Sequence, residues 1–385
     1  MLRASARIAI LILAAASSGP LGAGGSEAGK PATREIALIA NGEAGTVALL
    51  DVATRKVLGT LDVNPAQDKG EGPGARNYAQ DTDLSPDGRT LYVSRGYLGD
   101  VAAFDLASGR LLWRRSLDTG RADHMTLTPD GRHLFVSAMM DNRIYRIAAA
   151  TGEITGHIDT GDYPHDNKVS ADGRRLYNTS IGAIPTLPRK STVVTAASAP
   201  VNPFQFTIAE VASLKVLRRV RLEQAIRPWR FTPDEQGLYA QLANEHAVVA
   251  YELATMKEVR RLELPVKDGL TRADYDFDAP HHGLALTDDG RTLCLAGRAS
   301  DYVALVRAPE LTLIATIPVG DAPGWVEVAD GGRICLVANT RSDDLSIISI
   351  EDRAEVARLP VGNGPKHITV AKIPTSVIAA FSARL

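Results

Sequence analysis

The chain has 385 residues, of which 45% are hydrophobic, 23% are charged and only 5% are aromatic. The formal net charge is -2 at pH 7, because 43 Lys and Arg stand against 45 Asp and Glu. This balance favours a compact soluble protein, and it argues against a nucleic-acid partner or a membrane-spanning class.

The first residues are typical of a secretory signal peptide. Arg3 and Arg7 provide a positive n-region, and residues 8–16 form an apolar run that is too short to span a bilayer. Small residues follow at positions where cleavage could occur. We predict that residues 1–23 are a signal peptide and that the mature protein is periplasmic or secreted.

One pattern recurs six times at a spacing of roughly 42 residues. Each copy has an inner strand, an Asp-Gly-type turn and a second strand, and the copies read TDLSPDGRTLYVS, MTLTPDGRHLFVS, NKVSADGRRLYNT, WRFTPDEQGLYAQ, LALTDDGRTLCLA and VEVADGGRICLVA. A unit of four short strands cannot bury its apolar faces alone, so the copies must stack around an axis. The repeat predicts an all-β chain that folds as one β-propeller. We assign the Asp-Gly motifs a structural role in tight turns and no catalytic or metal-binding role.

The two ends of the chain predict how the ring closes. The first three strand-like stretches are residues 35–40, 47–52 and 56–63, and no inner strand precedes them. Residues 365–373 look like an inner strand with nothing after it. We predict that these four strands make one blade, which removes exposed sheet edges and gives seven four-stranded blades. The propeller then covers residues 34–373, and residues 374–385 are a tail without an assigned place.

The two cysteines stand where other copies carry an aromatic core residue. We treat Cys294 and Cys335 as equivalent positions of neighbouring copies, whose Cα atoms would lie roughly 8 to 10 Å apart on adjacent blades. An unstrained disulfide cannot span that distance. The expectation is two free buried thiols.

Three segments carry a resemblance to a known family. They are LYVSRGYLGDVAAFDLASGRLL, LFVSAMMDNRIYRIAAATGEI and CLVANTRSDDLSIISIEDRAEVARLPVGNGP. They resemble the YVTN-repeat β-propellers, an exported bacterial family related in architecture to cytochrome d1-type and quinoprotein amine dehydrogenase propellers. The resemblance covers nearly everything after residue 34 and implies the fold, whereas the relatives range from binding proteins to haem-bearing enzymes. The CxxCH motif of covalent haem is absent, and His165 or His282 would be the axial candidate for a non-covalent haem.

Three stretches interrupt the repeat, at residues 64–80, 182–206 and 264–280. All three belong to the propeller face that carries the loops between blades. Long excursions on one side of a repeat array usually build the binding surface. We expect the functional site on this face.

Polar residues collect at the start of the inner strands on that face. The first ring position holds Gln80, Asp123, His165, Arg227, His282, Gly324 and Lys366, and the next holds Asp81, His124, Asp166, Pro228, Gly283, Trp325 and His367. With His281, five of the eight histidines fall at this level. We expect their side chains to converge at the mouth of the central channel.

These rings support two enzymatic hypotheses. The first is a divalent metal ion as cofactor, bound by His124, His165, His282 and His367, in a hydrolase or lyase whose catalytic groups are His165, His282 and Arg227. The second is acid–base chemistry without a metal, as in a lyase or lactonase acting on a sugar acid. There His165 beside Asp166, or His124 beside Asp123, would be the base, and Arg227 and Lys366 would stabilise an anionic intermediate.

A third hypothesis is recognition without catalysis. Tyr78, Tyr163, Trp229 and Lys366 would then contact a ligand or cofactor, although Trp229 also fits as a wedge between blades. Loop arginines such as Arg298 favour a carboxylate or phosphate ligand. The preferred interpretation is an exported propeller that binds a small anionic molecule, a cofactor or a periplasmic protein partner. The metal-dependent hydrolase or lyase is the alternative.

Overall fold

A computed structural model of the chain describes residues 31–70, 77–182, 204–276 and 279–385. The predicted signal peptide, residues 1–23, lies outside the described residues, as does most of the stretch 182–206. Ala32–Leu385 form one compact unit. No helix in the described ranges is long and apolar enough to cross a membrane.

The described residues form seven four-stranded antiparallel sheets, which are the seven predicted blades. The strands of the first half are β1 (Thr33–Asn41), β2 (Thr46–Asp51), β3 (Lys56–Asp62), β4 (Asp81–Leu84), β5 (Thr90–Ser94), β6 (Asp100–Asp105), β7 (Leu111–Ser116), β8 (Ala122–Leu127), β9 (His133–Ala138), β10 (Arg143–Ala148), β11 (Ile154–Asp159), β12 (Pro164–Val169), β13 (Arg175–Ile181), β14 (Phe204–Glu210) and β15 (Val216–Arg221).

The strands of the second half complete the ring. They are β16 (Ile226–Phe231), β17 (Gly237–Leu242), β18 (Ala247–Glu252), β19 (Lys257–Glu263), β20 (Leu284–Leu286), β21 (Thr292–Gly297), β22 (Tyr302–Arg307), β23 (Thr312–Pro318), β24 (Pro323–Ala329), β25 (Ile334–Asn339), β26 (Asp344–Ser349), β27 (Ala354–Pro360) and β28 (Pro365–Pro374). A single helix, α1 (Thr375–Ala383), follows β28.

The predicted ring closure is confirmed by the pairing of the chain ends. β28 is the inner strand of the first blade, in the sheet order β28-β1-β2-β3. It runs antiparallel to β1, with Ala371 opposite Ile36 and Thr369 opposite Leu38. The other six blades use consecutive strands.

The apolar core lies between the blades. Small and branched side chains from neighbouring sheets fill each interface, as between the sixth and seventh blades, where Ala285, Val303, Val326 and Val337 are among the fully buried members. The aliphatic residues of alternate strand positions thus face the two neighbouring sheets. The blades are therefore held together mainly by burial of apolar surface.

The tail after the last strand has a place that the sequence did not suggest. In α1 the side chains of Val377, Ile378 and Phe381 are buried. They join the apolar cluster between the first and second blades, which includes Leu61 and Phe104. The helix therefore covers the outer part of the blade that closes the ring.

Cys294 in β21 and Cys335 in β25 form a disulfide, with their Cα atoms 6.5 Å apart. The prediction of two free thiols is therefore wrong. Cys294 lies four residues after its turn glycine, Gly290, whereas Cys335 lies three residues after Gly332. This offset of one residue directs the two side chains to opposite faces of their own sheets. Because the two sheets pack face to face, both side chains enter the same interface.

The end of the channel opposite the predicted site holds a lower chamber of about 510 Å³. Charged residues line it, including the half-buried Asp83, which accepts the backbone N–H groups of Leu127 and Leu84, each at 2.8 Å. Burial, with the nearby Asp81 charge, nevertheless raises the pKa of Asp83 to about 6. The ionised form of Asp83 is thus disfavoured in the folded protein.

Loss of the disulfide should destabilise the protein. The double replacement Cys294→Ala with Cys335→Ala is expected to lower the free energy of unfolding by about 2–4 kcal/mol, since the bridge restricts the unfolded chain across a separation of 41 residues. Urea unfolding with and without reductant measures this, and reductant should affect only the wild type. Two titratable thiols in denatured, unreduced wild type would contradict the bridge.

Asp83 should make stability fall as the pH rises through about 6. The unfolded carboxyl ionises near its ordinary pKa of 3.8, so the folded state carries the cost of the charge only at higher pH. Relative to Asp83→Asn, the free energy of unfolding of the wild type should fall by about 1–3 kcal/mol between pH 4.5 and pH 8. Urea unfolding at both pH values checks this. A difference between the two proteins that does not change with pH would show that Asp83 ionises normally.

Candidate active site

The predicted polar residues gather at one end of the central channel, where the inner strands begin. They line a cavity of about 60 Å³. Six of the seven residues of the first ring position face it, namely Gln80, His165, Arg227, His282, Gly324 and Lys366. The other lining residues are Arg121, His124, Met139, Asp276, Ala279, Arg298 and Thr340. The alignment of the repeats therefore located most of this wall.

Irregular pairing at the start of the inner strands shapes the wall. The register of β8 against β9 shifts next to His124, and that of β12 against β13 shifts next to His165. The pairing of β16 with β17 shifts in the same way at Arg227. A bulge bends a strand locally and redirects its side chains. Residues of both ring positions can therefore reach the channel.

Three histidines lie together in the cavity wall. The Nε2 atoms of His165 and His282 are 3.4 Å apart. One ring nitrogen from each of His124, His165 and His282 lies within 4.8 Å of the other two. The rings of His124 and His165 meet edge to face, with centroids 4.6 Å apart. These imidazoles come from three different blades, and only ring closure brings them together.

Hydrogen bonds fix two of these rings. Nδ1 of His282 donates to the carbonyl oxygen of Gly324 at 2.9 Å. Nδ1 of His124 donates to the carboxylate of Asp81 at 3.0 Å, and this carboxylate also accepts the backbone N–H of Met125. Metal-binding histidines are commonly held in this way through their second nitrogen. Nε2 of His124 is buried and has no hydrogen-bond partner among the described residues.

The surroundings determine the charge of each imidazole. Burial lowers the pKa of His165 and His282 well below the usual value, and the charge of Arg227 adds to this effect. Burial also opposes protonation of His124, but the hydrogen bond to Asp81 and the charge of Asp123 outweigh it, so the pKa of His124 is raised. The neutral imidazole binds metals. His165 and His282 are thus ready ligands, whereas a metal at His124 would compete with a proton.

Positive charge dominates the rest of the wall. Arg121, Arg227, Arg298 and Lys366 all line the cavity. Burial, together with the charges of Arg121 and Arg298, lowers the pKa of Lys366 to about 7. Asp276 is the only acidic residue among the described residues of the lining. The cavity therefore favours an anionic ligand.

His367, a predicted metal ligand, lies one layer deeper than the other three histidines. Its Nδ1 is 2.8 Å from the carboxylate of Asp81, and it lines the lower chamber rather than the cavity. The same carboxylate holds His124. Burial opposes ionisation of Asp81, but His367 and His124 outweigh it and hold the pKa of Asp81 well below its usual range. His367 is therefore outside the cluster of three, but with Asp81 and His124 it forms a second group whose possible metal-ligand atoms lie within 4.8 Å of one another.

The aromatic residues predicted to contact a ligand lie elsewhere. Trp229 is fully buried between the fourth and fifth blades, where its ring packs against Phe231 at 4.9 Å. Tyr163 is buried in an apolar cluster with Met139. Tyr78 lines a separate surface depression near the start of the chain. None of the three lines the cavity, and Trp229 acts as the blade wedge that was its other interpretation.

Sequence reasoning did not single out two of the charged residues of the wall. Arg121 stands two residues before a ring position and ion-pairs with Asp123 at 3.4 Å. Asp276 belongs to the interruption at residues 264–280. The repeat pattern predicts the face on which this segment lies, but it does not indicate which of its residues reach the cavity. The acidic run DYDFD, opposite an arginine-rich wall, is the signal that could have indicated Asp276.

Comparison with known proteins supports the architecture. The family model described as outer membrane protein assembly factor BamB matches residues 20–180, which is less than half of the chain. No curated protein sequence gives a significant match. The match indicates propeller-type repeats in the first half of the chain.

Three solved structures are similar in fold. Hydrazine synthase of Kuenenia stuttgartiensis has a TM-score of 0.62 at 21% identity, covering 79% of this chain and 89% of that one. A candidate 6-phosphogluconolactonase from Bacteroides fragilis has a TM-score of 0.66 at 13% identity, with coverages of 88% and 98%. The periplasmic gluconolactonase of Pseudomonas aeruginosa has a TM-score of 0.65 at 18% identity, with coverages of 88% and 100%. At these identities the likeness shows the fold alone, and that fold is a seven-bladed β-propeller.

Proposed function

We propose that the channel cavity binds a divalent transition-metal ion through His124, His165 and His282 and that the protein is a metal-dependent hydrolase or lyase acting on a small anionic substrate. The observation that carries this is the 3.4 Å separation of the His165 and His282 Nε2 atoms. Two imidazole nitrogens on one tetrahedral ion, with bonds of about 2.0–2.1 Å, are separated by roughly 3.3 Å.

The three imidazoles fit a metal ion chemically as well as geometrically. Asp81 and the carbonyl oxygen of Gly324 hold the Nδ1–H groups of His124 and His282, which leaves their Nε2 lone pairs for coordination. The buried Nε2 of His124 would gain a partner. Imidazole nitrogens suit zinc, copper, iron or nickel.

The chain's own residues would bind and orient the substrate. A bound ion would supply Lewis-acid polarisation of a carbonyl group and a more acidic water. Lys366 and Arg227 line the same cavity and would hold a negatively charged group of the substrate. Gln80, also in the wall, offers a neutral donor and acceptor to hydroxyl groups. One structural neighbour is named a 6-phosphogluconolactonase and another a gluconolactonase, so sugar lactones that carry a negatively charged group are the first substrates to test.

The second candidate function is binding without catalysis, of a small anionic molecule or of a periplasmic protein partner. The four positively charged side chains of the cavity wall favour an anion whether or not a metal is present. The BamB-type family match favours a protein partner for the loop-rich face. Retention of anion binding by a metal-free protein without activity would favour this candidate.

We further propose that the protein is exported. The signal-like N-terminus of the sequence supports this, and the buried Cys294–Cys335 disulfide suits an oxidising compartment. The periplasmic gluconolactonase with the same fold is consistent with it.

The metal site predicts a stoichiometry. Protein purified without a His tag and loaded at pH 8 should carry about one metal ion per chain by elemental analysis. His165→Ala and His282→Ala should each lower occupancy at least tenfold, since each removes one of three ligands. His157→Ala, at an exposed position on β11, is the matched control and should keep full occupancy. Wild type that takes up no zinc, manganese, copper, iron or nickel would exclude the site.

Lys366 should matter for turnover but not for metal content. Below pH 7, where Lys366 is mostly protonated, Lys366→Met is expected to lower kcat/KM about 100-fold to 1,000-fold, because a positive charge that binds the anionic substrate is lost. Metal occupancy should stay at the wild-type value. Acid release from lactones that carry a phosphate or carboxylate group reports hydrolysis, and ultraviolet absorbance of a new C=C bond in uronates reports elimination. Equal kcat/KM for variant and wild type would remove Lys366 from the substrate site.

A further inference from the structure

Asp276 lies between two arginines at the edge of the cavity. Both of its carboxylate oxygens accept from Nη2 of Arg341 at 2.8 Å, and Oδ2 also accepts from Nη2 of Arg298 at 3.0 Å. Two guanidinium groups thus share one carboxylate. This is the arrangement by which proteins recognise carboxylate ligands.

The two arginines belong to the rigid blades. Arg298 directly follows β21, its side chain is 11% exposed, and its Nη1 contacts Ala322 O at 3.3 Å. Arg341 follows β25, and its backbone N–H donates to Asp321 O. The sixth and seventh blades therefore fix the backbone of both arginines and hold the Arg298 side chain, whereas the Arg341 side chain is 54% exposed and contacts Asp276.

The carboxylate, in contrast, comes from a stretch that belongs to no blade. Residues 264–276 connect the fifth and sixth blades over the loop-rich face. Lys267 ties this stretch to Asp301 at 3.1 Å, and Tyr275 meets Nε2 of His246 at 2.7 Å. These contacts, to the β21–β22 loop of the sixth blade and to the β17–β18 loop of the fifth blade, place Asp276 at the arginines.

The Asp276–Arg298 pair also stands where two spaces meet. Both residues line the histidine cavity, and both line an outer chamber of about 440 Å³. The outer chamber has mostly polar walls, including Lys267, Asp301 and Asp321. That volume suits a ligand of the size of a sugar acid, and such walls suit its hydroxyl groups. A ligand whose carboxylate lies between the arginines could therefore reach into both the histidine cavity and the outer chamber.

We propose that Arg298 and Arg341 form the carboxylate subsite of the substrate and that Asp276 occupies this subsite until the substrate replaces it. The substrate class is then a hydroxylated carboxylic acid, whose polar body lies in the outer chamber while its reactive end reaches the histidines. This proposal deepens the proposed function but needs no metal for its test. Asp276 acts as a built-in competitor that lowers the apparent affinity for carboxylates.

The test is calorimetric titration of metal-free protein with glucarate, a hydroxylated dicarboxylate, and with the uncharged glucitol as the matched probe. Asp276→Asn should bind glucarate at least tenfold more tightly than wild type, because the amide no longer neutralises the arginines. Adding Arg341→Gln to that variant should abolish the gain. Glucitol should show no such change. Asp268→Asn, which removes one charge from an exposed position of the same stretch, should leave glucarate affinity unchanged.

Several outcomes would overturn the proposal. Equal or weaker glucarate binding by Asp276→Asn, in a variant whose Tm matches wild type, would make Asp276 a structural ion pair. An equal gain for inorganic sulfate would show a general anion site instead of a carboxylate subsite. Because the titration uses metal-free protein, its result can be separated from the proposed function. Tight glucarate binding by a protein that takes up no metal would exclude the metal-dependent enzyme but support the carboxylate subsite.

Discussion

The pairing of β28 with β1 is the constraint on which the structure depends. It places the two ends of the chain in one sheet, so the seven inner strands surround a single axis. Lys366 then lines the same cavity as His282 and His124, which precede it in the sequence by 84 and 242 positions. Removal of this pairing would expose sheet edges and open the cavity at the same time. Stability and site geometry therefore have a common origin.

Within the channel, charge is arranged in layers. Asp81 holds His124 on one side and His367 on the other, so a single ionised carboxylate orients the imidazole that faces the cavity. Above this layer the charges are positive, and burial together with these charges keeps His165 and His282 neutral. Two neutral histidines beside buried cations suit a metal ion that is bound together with an anionic substrate.

The sequence was sufficient for features that repeat and insufficient for features that depend on one residue. The turn motif and its spacing predicted the blades, the closure and most of the cavity wall. The one-residue offset of Cys335 reversed the face of its side chain, and an alignment by strand motif could not detect it. For Trp229 the sequence allows two roles, because its position in the strand does not indicate whether the ring enters the channel or the interface between the blades. The helix of residues 375–383 has no repeat to compare with.

Asp276 shows why the interruptions of the repeat resist prediction. A residue outside the repeat has no equivalent position in another blade, so its neighbours are known only after folding. The arginines it contacts are equally unremarkable in sequence, since loop arginines are usually solvated. Their functional interest follows from the structure, in which Arg298 and Arg341 share the Asp276 carboxylate between the histidine cavity and the outer chamber.

Buried polar atoms distinguish the histidine cavity from the apolar spaces between the blades. Around the cavity, Nε2 of His124 and Nδ1 of His165 are buried without hydrogen-bond partners among the described residues. Such an atom would cost about 1–3 kcal/mol if it had no partner of any kind. Apolar side chains would fill the channel at lower cost, as they fill the spaces between the blades. The polar groups kept here therefore take their partners from water or from a ligand that satisfies several of them at once.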